Sequence, residues 1–173
     1  MSWLKRPASL AMPLALLIGL GACGFRPLYS ERHNAGVTAE LAAIRIDLIA
    51  DRTGQKLHNF LLDRFNPKGP AARPRYGLTV KVATGRRELG IRKDETATRA
   101  NLTLTARYTL RDWRTNRSLY QGISNSTNSY NILESDFATL AALNDATTRA
   151  ARELSEKIKT RLSIFFSQAR RPR

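Results

Sequence analysis

Cys23 is the residue to which the sequence most clearly assigns a chemical role, because it is the single cysteine among 173 residues. Two cations, Lys5 and Arg6, precede an apolar run over residues 8–20, and two small residues then lead to the cysteine. This layout is typical of a secretory signal peptide. The apolar run is shorter than the roughly 20 residues that a membrane-spanning helix needs. We therefore predict that the chain is exported and that Cys23 supplies a nucleophilic thiolate.

The junction Leu20-Gly21-Ala22-Cys23 resembles the lipobox of bacterial lipoproteins. In such proteins the cysteine sulfur receives a diacylglycerol, the signal is cut before the cysteine and the new amine is acylated. Cys23 is therefore the expected lipidation site. Gly24 stands where inner-membrane lipoproteins carry an aspartate, and so favours the outer membrane. An ordinary signal peptide, or a buried N-terminal helix with an incidental cysteine, is the alternative interpretation.

A cluster of basic residues is the second candidate site. Its members lie within eight positions: Arg86, Arg87, Arg92 and Lys93. A guanidinium group offers a planar fork that matches phosphate, so the cluster predicts an anion-binding loop. The alternative is a loop that charge merely keeps solvated. The basic residues that follow extend the surface: Arg99, Arg107, Arg111 and Arg114. Alternation places Arg107 and Arg111 on the solvent side of their strand.

The formal net charge of +15 is concentrated in one segment. Residues 73–117 carry twelve basic and four acidic side chains, a balance of +8, whereas residues 134–166 carry five of each. Such a surface suits an anionic partner, which could be nucleic acid, anionic lipid or a phosphorylated glycan. The export signal and the lack of a nucleic-acid-binding motif argue against nucleic acid.

Catalytic and metal sites find little support in the sequence. Acylation of Cys23 leaves no free thiol, and His33 and His58 have no companions at metal-ligand spacing. Asp94 and Glu95 are better explained as ion-pair partners of neighbouring cations than as an acid–base pair. We therefore expect no metal, no cofactor apart from the acyl chains, and no enzymatic activity. An envelope hydrolase with a convergent site is a minor alternative.

Hydrophobic periodicity predicts an α+β domain with the element order β-α-β-β-β-α. The expected strands lie near residues 43–49, 76–82, 102–110 and 119–130, and the expected helices span residues 55–65 and 135–166. Two helices on one face of a four-stranded sheet would bury the apolar faces in two layers. The alternation along the strands favours antiparallel pairing with one hydrated face.

Several local features are predicted as well. We expect an irregular segment over residues 24–40, a charged loop over 85–96, a hairpin turn over 112–117 and a hydrated edge-strand face over 124–131. Asp51 or Thr53 is expected to cap the first helix and Ser135 the last. Glu153 and Lys157 are spaced for an ion pair on the exposed side of that last helix.

The chain therefore divides into four parts. Residues 1–22 form the signal peptide, residues 23–40 a lipidated tether, residues 41–166 a single α+β domain and residues 167–173 a basic tail.

Four segments together resemble LptE, a family of lipopolysaccharide-assembly lipoproteins. They are Cys23-Gly24-Phe25-Arg26-Pro27-Leu28-Tyr29, Asp51-Arg52-Thr53-Gly54-Gln55-Lys56-Leu57, the approach to the last helix from Ser126 to Ala138, and the alanine-rich run from Asp145 to Leu162. The resemblance implies two helices on a four-stranded mixed sheet, in agreement with the predicted element order.

The resemblance also implies a function. LptE-like proteins are not enzymes; they plug the outer-membrane barrel LptD, help it to assemble and take part in delivering lipopolysaccharide to the outer leaflet. The chain would then lie on the periplasmic side and in the barrel lumen, with lipopolysaccharide as the anion for Arg86, Arg87, Arg92 and Lys93. The other interpretation is a periplasm-facing lipoprotein accessory to an ABC-type lipid or solute transporter.

Overall fold

The computed structural model describes residues 31–67, 69–91 and 97–169, so Cys23, Arg92, Lys93 and the basic tail from residue 170 lie outside the described residues. The described residues from 35 onward belong to one compact unit, which holds the sheet. The elements follow in this order: α1 (Glu31–Ala42), β1 (Ile44–Ile46), α2 (Asp51–Phe65), β2 (Tyr76–Ile91), β3 (Ala97–Asp112), β4 (Ser118–Asn131) and α3 (Asp136–Ala169).

The four strands form one sheet in the order β1-β2-β3-β4. As the alternation predicted, β2, β3 and β4 are antiparallel neighbours, whereas β1 is parallel to β2. The parallel pair follows from the connection, because α2 returns the chain to the end of the sheet at which β1 began. β2 and β3 are paired from Tyr76 opposite Asp112 to Ile91 opposite Ala97, and so form a long central ladder.

Helices α2 and α3 pack side by side against one face of this sheet, which confirms the predicted two-layer α+β fold. Three contacts advance by four residues in both helices together: Lys56–Thr148, Phe60–Arg152 and Arg64–Glu156. The two helices therefore run in the same direction. Side chains with no exposed surface come from both layers: Leu57, Leu61, Leu78, Leu104, Leu110, Leu154, Ile158 and Leu162.

The prediction of an irregular segment over residues 24–40 is wrong from residue 31 onward, where α1 begins. Val37 and Leu41, one helical turn apart, are both buried in the core. Glu40 is only 8% exposed and accepts hydrogen bonds from Arg75 at 3.0 and 3.2 Å and from the Tyr76 hydroxyl at 2.9 Å. Burial, and then the bond to Glu40, raises the pKa of Tyr76. These tertiary contacts outweigh a sequence with weak helical propensity.

Helix α2 begins at Asp51, four residues earlier than predicted, and neither predicted cap is formed. Its N-cap residue is Ala50, which makes no side-chain cap bond. The first turn is instead held by close packing at Gly54, where an added Cβ would lie 2.6 Å from Ile49 Cγ2 and 3.1 Å from the Ile49 carbonyl. Ile49 is itself buried, so little space exists to relieve such a contact.

Gly54→Ala is expected to lower the free energy of unfolding by about 1–3 kcal/mol, because overpacking against Ile49 exceeds the roughly 1 kcal/mol that alanine gains over glycine inside a helix. Gly85→Ala in β2 is the control for a methyl group added without a close contact, since the nearest atom to its added Cβ is 3.9 Å away; the helix gain does not apply to it. Chemical denaturation of both variants measures the difference. A stabilised Gly54→Ala variant would show that Ile49 does not resist displacement.

The charged loop predicted over residues 85–96 is wrong as far as residue 91, because β2 continues through this segment in register with β3. The predicted hairpin turn over residues 112–117 is confirmed. Asp112 Oδ1 accepts hydrogen bonds from the backbone amides of Thr115 at 2.8 Å and Arg114 at 3.0 Å. These bonds, with that to Thr115 the strongest contribution, lower the pKa of Asp112. Asn116 adopts the left-handed φ of 55° that closes the turn.

Helix α3 has 34 residues and begins as predicted, with the Ala138 amide donating to Ser135 Oγ at 3.4 Å. It is too polar to be a membrane span, and none of the helices in the described ranges has the length and apolar character needed to cross a membrane.

The predicted ion pair of Glu153 and Lys157 is wrong, because both side chains reach β4. Glu153 Oε2 accepts hydrogen bonds from Ser126 Oγ at 2.6 Å and from Asn128 Nδ2 at 3.3 Å. Lys157 Nζ donates to the Asn125 carbonyl at 2.7 Å. Ser126 is 2% exposed and requires a partner, which the carboxylate supplies. The face predicted to be hydrated over residues 124–131 is therefore partly buried under α3.

Candidate functional site on the open face of the sheet

The sheet has one face covered by the helices and one face turned to solvent. Along β2, β3 and the paired part of β4, even-numbered side chains point toward the core and odd-numbered side chains point away from it, as the period of a strand requires. We call the solvent side of these three strands the open face. Its uncharged side chains are mostly hydroxyls and amides: Thr79, Asn101, Thr103, Thr105, Thr109, Gln121, Asn125, Thr127, Ser129 and Asn131.

The charged residues of the open face are all cations. They are Lys81, Arg87, Arg99, Arg107 and Arg111, and each is exposed. None of them forms an ion pair with another residue in the described ranges. Lys81 lies directly opposite Arg107 in the β2–β3 register. Like charges at opposed positions repel each other, so an anion bound between them would relieve an unfavourable interaction.

A groove of about 700 Å³ lies where these cations meet β4. Four basic side chains line it, Lys81, Arg107 and Arg111 from the sheet and Arg161 from α3. The Thr109 hydroxyl adds a hydrogen-bond donor to the same lining, whereas the Thr79 hydroxyl donates to Asp47 Oδ2 at 2.6 Å. Forked guanidinium groups and a hydroxyl donor on one concave surface suit phosphate or carboxylate groups.

Gly122 and Tyr108 shape the groove at its β4 side. They are cross-strand partners, and a Cβ at Gly122 would lie 2.6 Å from the Tyr108 hydroxyl and ring. The tyrosine ring therefore occupies the space that a side chain at position 122 would need. Burial raises the pKa of Tyr108, so its phenol stays protonated. The phenol oxygen lies 3.4 Å from Ser124 Oγ.

The basic cluster that the sequence singled out is arranged differently from the predicted loop. Arg86 and Arg87 are consecutive residues of β2, so their side chains leave opposite faces of the strand. Arg86 lies 3.5 Å from Glu88 and its guanidinium group is 5.5 Å from the centroid of the Tyr130 ring. Arg87 belongs to the open face, opposite Asn101. The binding role of Arg92 and Lys93 stays a prediction, since both lie outside the described residues.

The prediction that Arg107 and Arg111 point to solvent is confirmed. The sequence does not show that Lys81 lies opposite Arg107, because that pairing depends on the strand register. Arg161 was missed as well. Nothing in the sequence around Arg161 indicates that α3 places this residue at the β4 end of the groove.

The described residues offer no arrangement suited to metal binding, since no three histidine, cysteine, aspartate or glutamate side chains among them are grouped closely enough. The Asp112 carboxylate is engaged in its own turn. The His58 Nδ1 atom is buried without a hydrogen-bond partner and is remote in sequence from the groove. The chemistry that the open face supports is the binding of anions.

Comparisons with known proteins identify the family of the chain and agree with its fold. The model of the LptE family, described as lipopolysaccharide-assembly, matches residues 41–162. No curated protein sequence matches the chain. Among solved structures, a lipoprotein from Caulobacter crescentus aligns with a TM-score of 0.63 at 24% identity, covering 77% of this chain and 97% of its own.

Two further structures share the fold. Rare lipoprotein B from Shewanella oneidensis aligns with a TM-score of 0.58 at 6% identity, covering 74% of this chain and 98% of its own. Lipoprotein B from Nitrosomonas europaea aligns with a TM-score of 0.53 at 14% identity, covering 72% of this chain and 82% of its own. At these identities the structural likeness supports the fold alone.

The family match carries the assignment, because it spans the whole sheet, α2 and most of α3. The family consists of non-enzymatic accessory lipoproteins associated with the lipopolysaccharide-assembly machinery, which is consistent with an envelope location. The chain belongs to the LptE family of lipopolysaccharide-assembly proteins.

Proposed function

We propose that the chain is an outer-membrane lipoprotein that plugs the LptD barrel, helps it to assemble and takes part in transporting lipopolysaccharide to the outer leaflet. The observation that carries this proposal is the family match over residues 41–162. The chain would act by binding and positioning its partners, without catalysing a reaction.

The open face supports the role of a plug. The interior of a large outer-membrane barrel is polar, and a surface that fits it must offer hydrogen-bonding groups rather than apolar side chains. The open face meets this condition along most of its three strands, with Ile123 as an exposed apolar exception. In two of its cross-strand pairs the two side chains are hydrogen-bonded: Thr103 with Thr127 at 2.9 Å, and Ser129 Oγ with Asn101 Oδ1 at 2.7 Å. These bonds hold the polar surface in a fixed arrangement.

The groove supports contact with lipopolysaccharide, whose phosphate groups are anions. Lys81, Arg107, Arg111 and Arg161 surround one concave space without acidic residues in its lining. Exposed cations also accelerate the approach of a charged ligand, and salt screens that attraction. Lipopolysaccharide binding at this groove is therefore expected to weaken as ionic strength rises.

The lipid anchor completes the proposal. Acylation of Cys23 by a diacylglycerol and an N-acyl chain would hold the domain at the periplasmic side of the outer membrane, next to a barrel embedded in it. Several acyl chains are needed, because a single chain gives only marginal membrane binding.

Purification of the tagged full-length chain from envelope membranes is expected to recover LptD in a reproducible ratio. The expected ratio is the same in high salt, because a plug is held by a large buried surface as well as by charge. A lipoprotein of unrelated fold with the same signal and tag is the control. Repeated recovery of ABC-transporter subunits in place of LptD would instead support a periplasm-facing transporter accessory.

A further inference from the structure

Strand β4 forms one edge of the sheet and has an unusual composition for an edge. Its 14 residues include no charged residue and no proline, in a chain that is 25% charged. Edge strands ordinarily carry lysine, proline or inward-pointing charge, which hinder pairing with another strand. β4 has none of these protections in its own sequence, so either another element protects it or it is available for pairing.

The contacts of α3 show which backbone groups of β4 face outward. Lys157 Nζ donates to the Asn125 carbonyl at 2.7 Å, and Arg149 donates to the Ser129 carbonyl at 3.2 Å. These carbonyls therefore point away from β3. In an antiparallel strand the outward groups belong to alternate residues, so the amides and carbonyls of Gln121 and Ile123 point outward too.

A stripe along α3 covers only part of this edge. Its residues are spaced by four: Arg149, Glu153, Lys157 and Arg161. The first three bond to β4 between Asn125 and Ser129. Arg161, one turn further on, forms no hydrogen bond or ion pair with another described residue and lines the groove. The edge over Gln121–Ile123 is thus left uncovered beside an unpaired cation.

The charge around this uncovered edge determines what could pair with it. The groove that includes Gln121, Gly122 and Ile123 is lined by four cations. A second copy of the chain is disfavoured, because each copy keeps a formal net charge of +13 after Lys5 and Arg6 of the signal are subtracted from +15. An extended segment that carries carboxylates would satisfy both the outward backbone groups and the cations.

We propose that the edge of β4 at Gln121–Ile123 docks an extended acidic segment of a partner protein by strand addition. Backbone hydrogen bonds to Gln121 and Ile123 provide the pairing, and contacts of the segment's carboxylates with Arg107 and Arg161 select an acidic sequence. This docking uses the edge of the sheet together with Arg107 and Arg161 of the groove, so a lipopolysaccharide phosphate bound there would compete with the segment. It does not require the binding of LptD.

The test uses the full-length chain in detergent and synthetic peptides of about ten residues, the length of a long strand. The probe alternates threonine and glutamate; one control replaces glutamate by lysine and another replaces threonine by proline, which removes pairing amides. Fluorescence anisotropy measures binding, and amide hydrogen exchange locates it. We expect only the threonine–glutamate peptide to bind and to slow exchange at Gln121 and Ile123, while even-numbered neighbours stay unchanged.

Two variants of the chain separate pairing from simple charge attraction. Ile123→Pro removes an outward amide without breaking the ladder to β3, so it should abolish binding, whereas Ile123→Val should preserve it. Arg161→Glu should weaken binding about tenfold or more, because it replaces a charge-assisted contact by repulsion. Unchanged exchange in the even-numbered amides verifies that each variant is folded.

Three outcomes would overturn the proposal. One is the absence of peptide binding at millimolar concentration. Another is equal binding by the proline-containing peptide or by the Ile123→Pro variant, which would mean attraction by charge alone. The third is binding that leaves the exchange of the Gln121 and Ile123 amides unchanged.

Discussion

Replacement of Cys23 by alanine is expected to leave an unprocessed precursor without acyl chains. The thiolate is the group that accepts the diacylglycerol, and alanine offers no nucleophile in its place. Each buried CH₂ contributes about 0.8 kcal/mol of membrane affinity, so losing the acyl chains removes most of the anchoring. Mass spectrometry of the intact chain reports the acyl mass, and detergent phase partitioning reports the loss of lipid.

The matched control for this experiment is Ala22→Ser, which keeps a small residue before the cysteine and should be processed normally. Because position 23 precedes the domain predicted over residues 41–166, the circular dichroism of the domain should be the same in both variants. Normal acylation of the Cys23→Ala chain would end the anchoring hypothesis.

Reversal of the two opposed cations of the open face, in the variant Lys81→Glu/Arg107→Glu, is expected to weaken binding to lipopolysaccharide about 10- to 100-fold at moderate salt. Each exposed charge contact contributes up to about 1 kcal/mol, and reversal adds repulsion of similar size. The two side chains lie opposite each other and line the groove, so both should contact the same anionic group. Titration with lipopolysaccharide aggregates at several salt concentrations measures the effect.

The control variant, Arg52→Glu/Arg117→Glu, has the same change in net charge. Its two substitutions lie on the first turn of α2 and in the hairpin turn, and neither residue lines the groove. Equal loss of binding in both double variants would assign the attraction to total charge. A third variant, Arg87→Glu/Arg92→Glu, tests the cluster predicted from sequence, and unchanged binding there would assign that cluster to solubility alone.

The fold was accessible from the sequence where periodicity is strong. The alternation of β2 and β3 and the apolar stripes of α2 and α3 each identify a buried face, and together they require two layers. Residues 85–91 were not recognised as strand because glycine, arginine and glutamate have low strand propensity. They are extended because β3 offers partners in register, such as Asn101 for Arg87. This pairing is a tertiary effect that a local pattern does not contain.

The candidate site was only partly accessible for the same reason. Arg86 and Arg87 are adjacent in the sequence, but the strand directs their side chains to opposite faces of the sheet. Residues that are distant in the sequence are brought together instead. Lys81 and Arg107 meet through the register of two strands, and Arg161 joins them through the packing of α3. Glu153 was likewise assigned to the helix surface, although it is the hydrogen-bond acceptor for buried Ser126.

The parallel packing of α2 against α3 is expected to form late in folding, because it joins distant parts of the chain. Its contacting residues, such as Lys56 and Thr148, are 92 positions apart in the sequence. The β2–β3–β4 meander contains mostly local pairings and can form early, but the apolar faces of α2 and the sheet stay uncovered until α3 arrives. An exported chain would emerge from the translocon with these faces exposed. We therefore expect holdase chaperones of the periplasm to bind it until its last 40 or so residues have crossed.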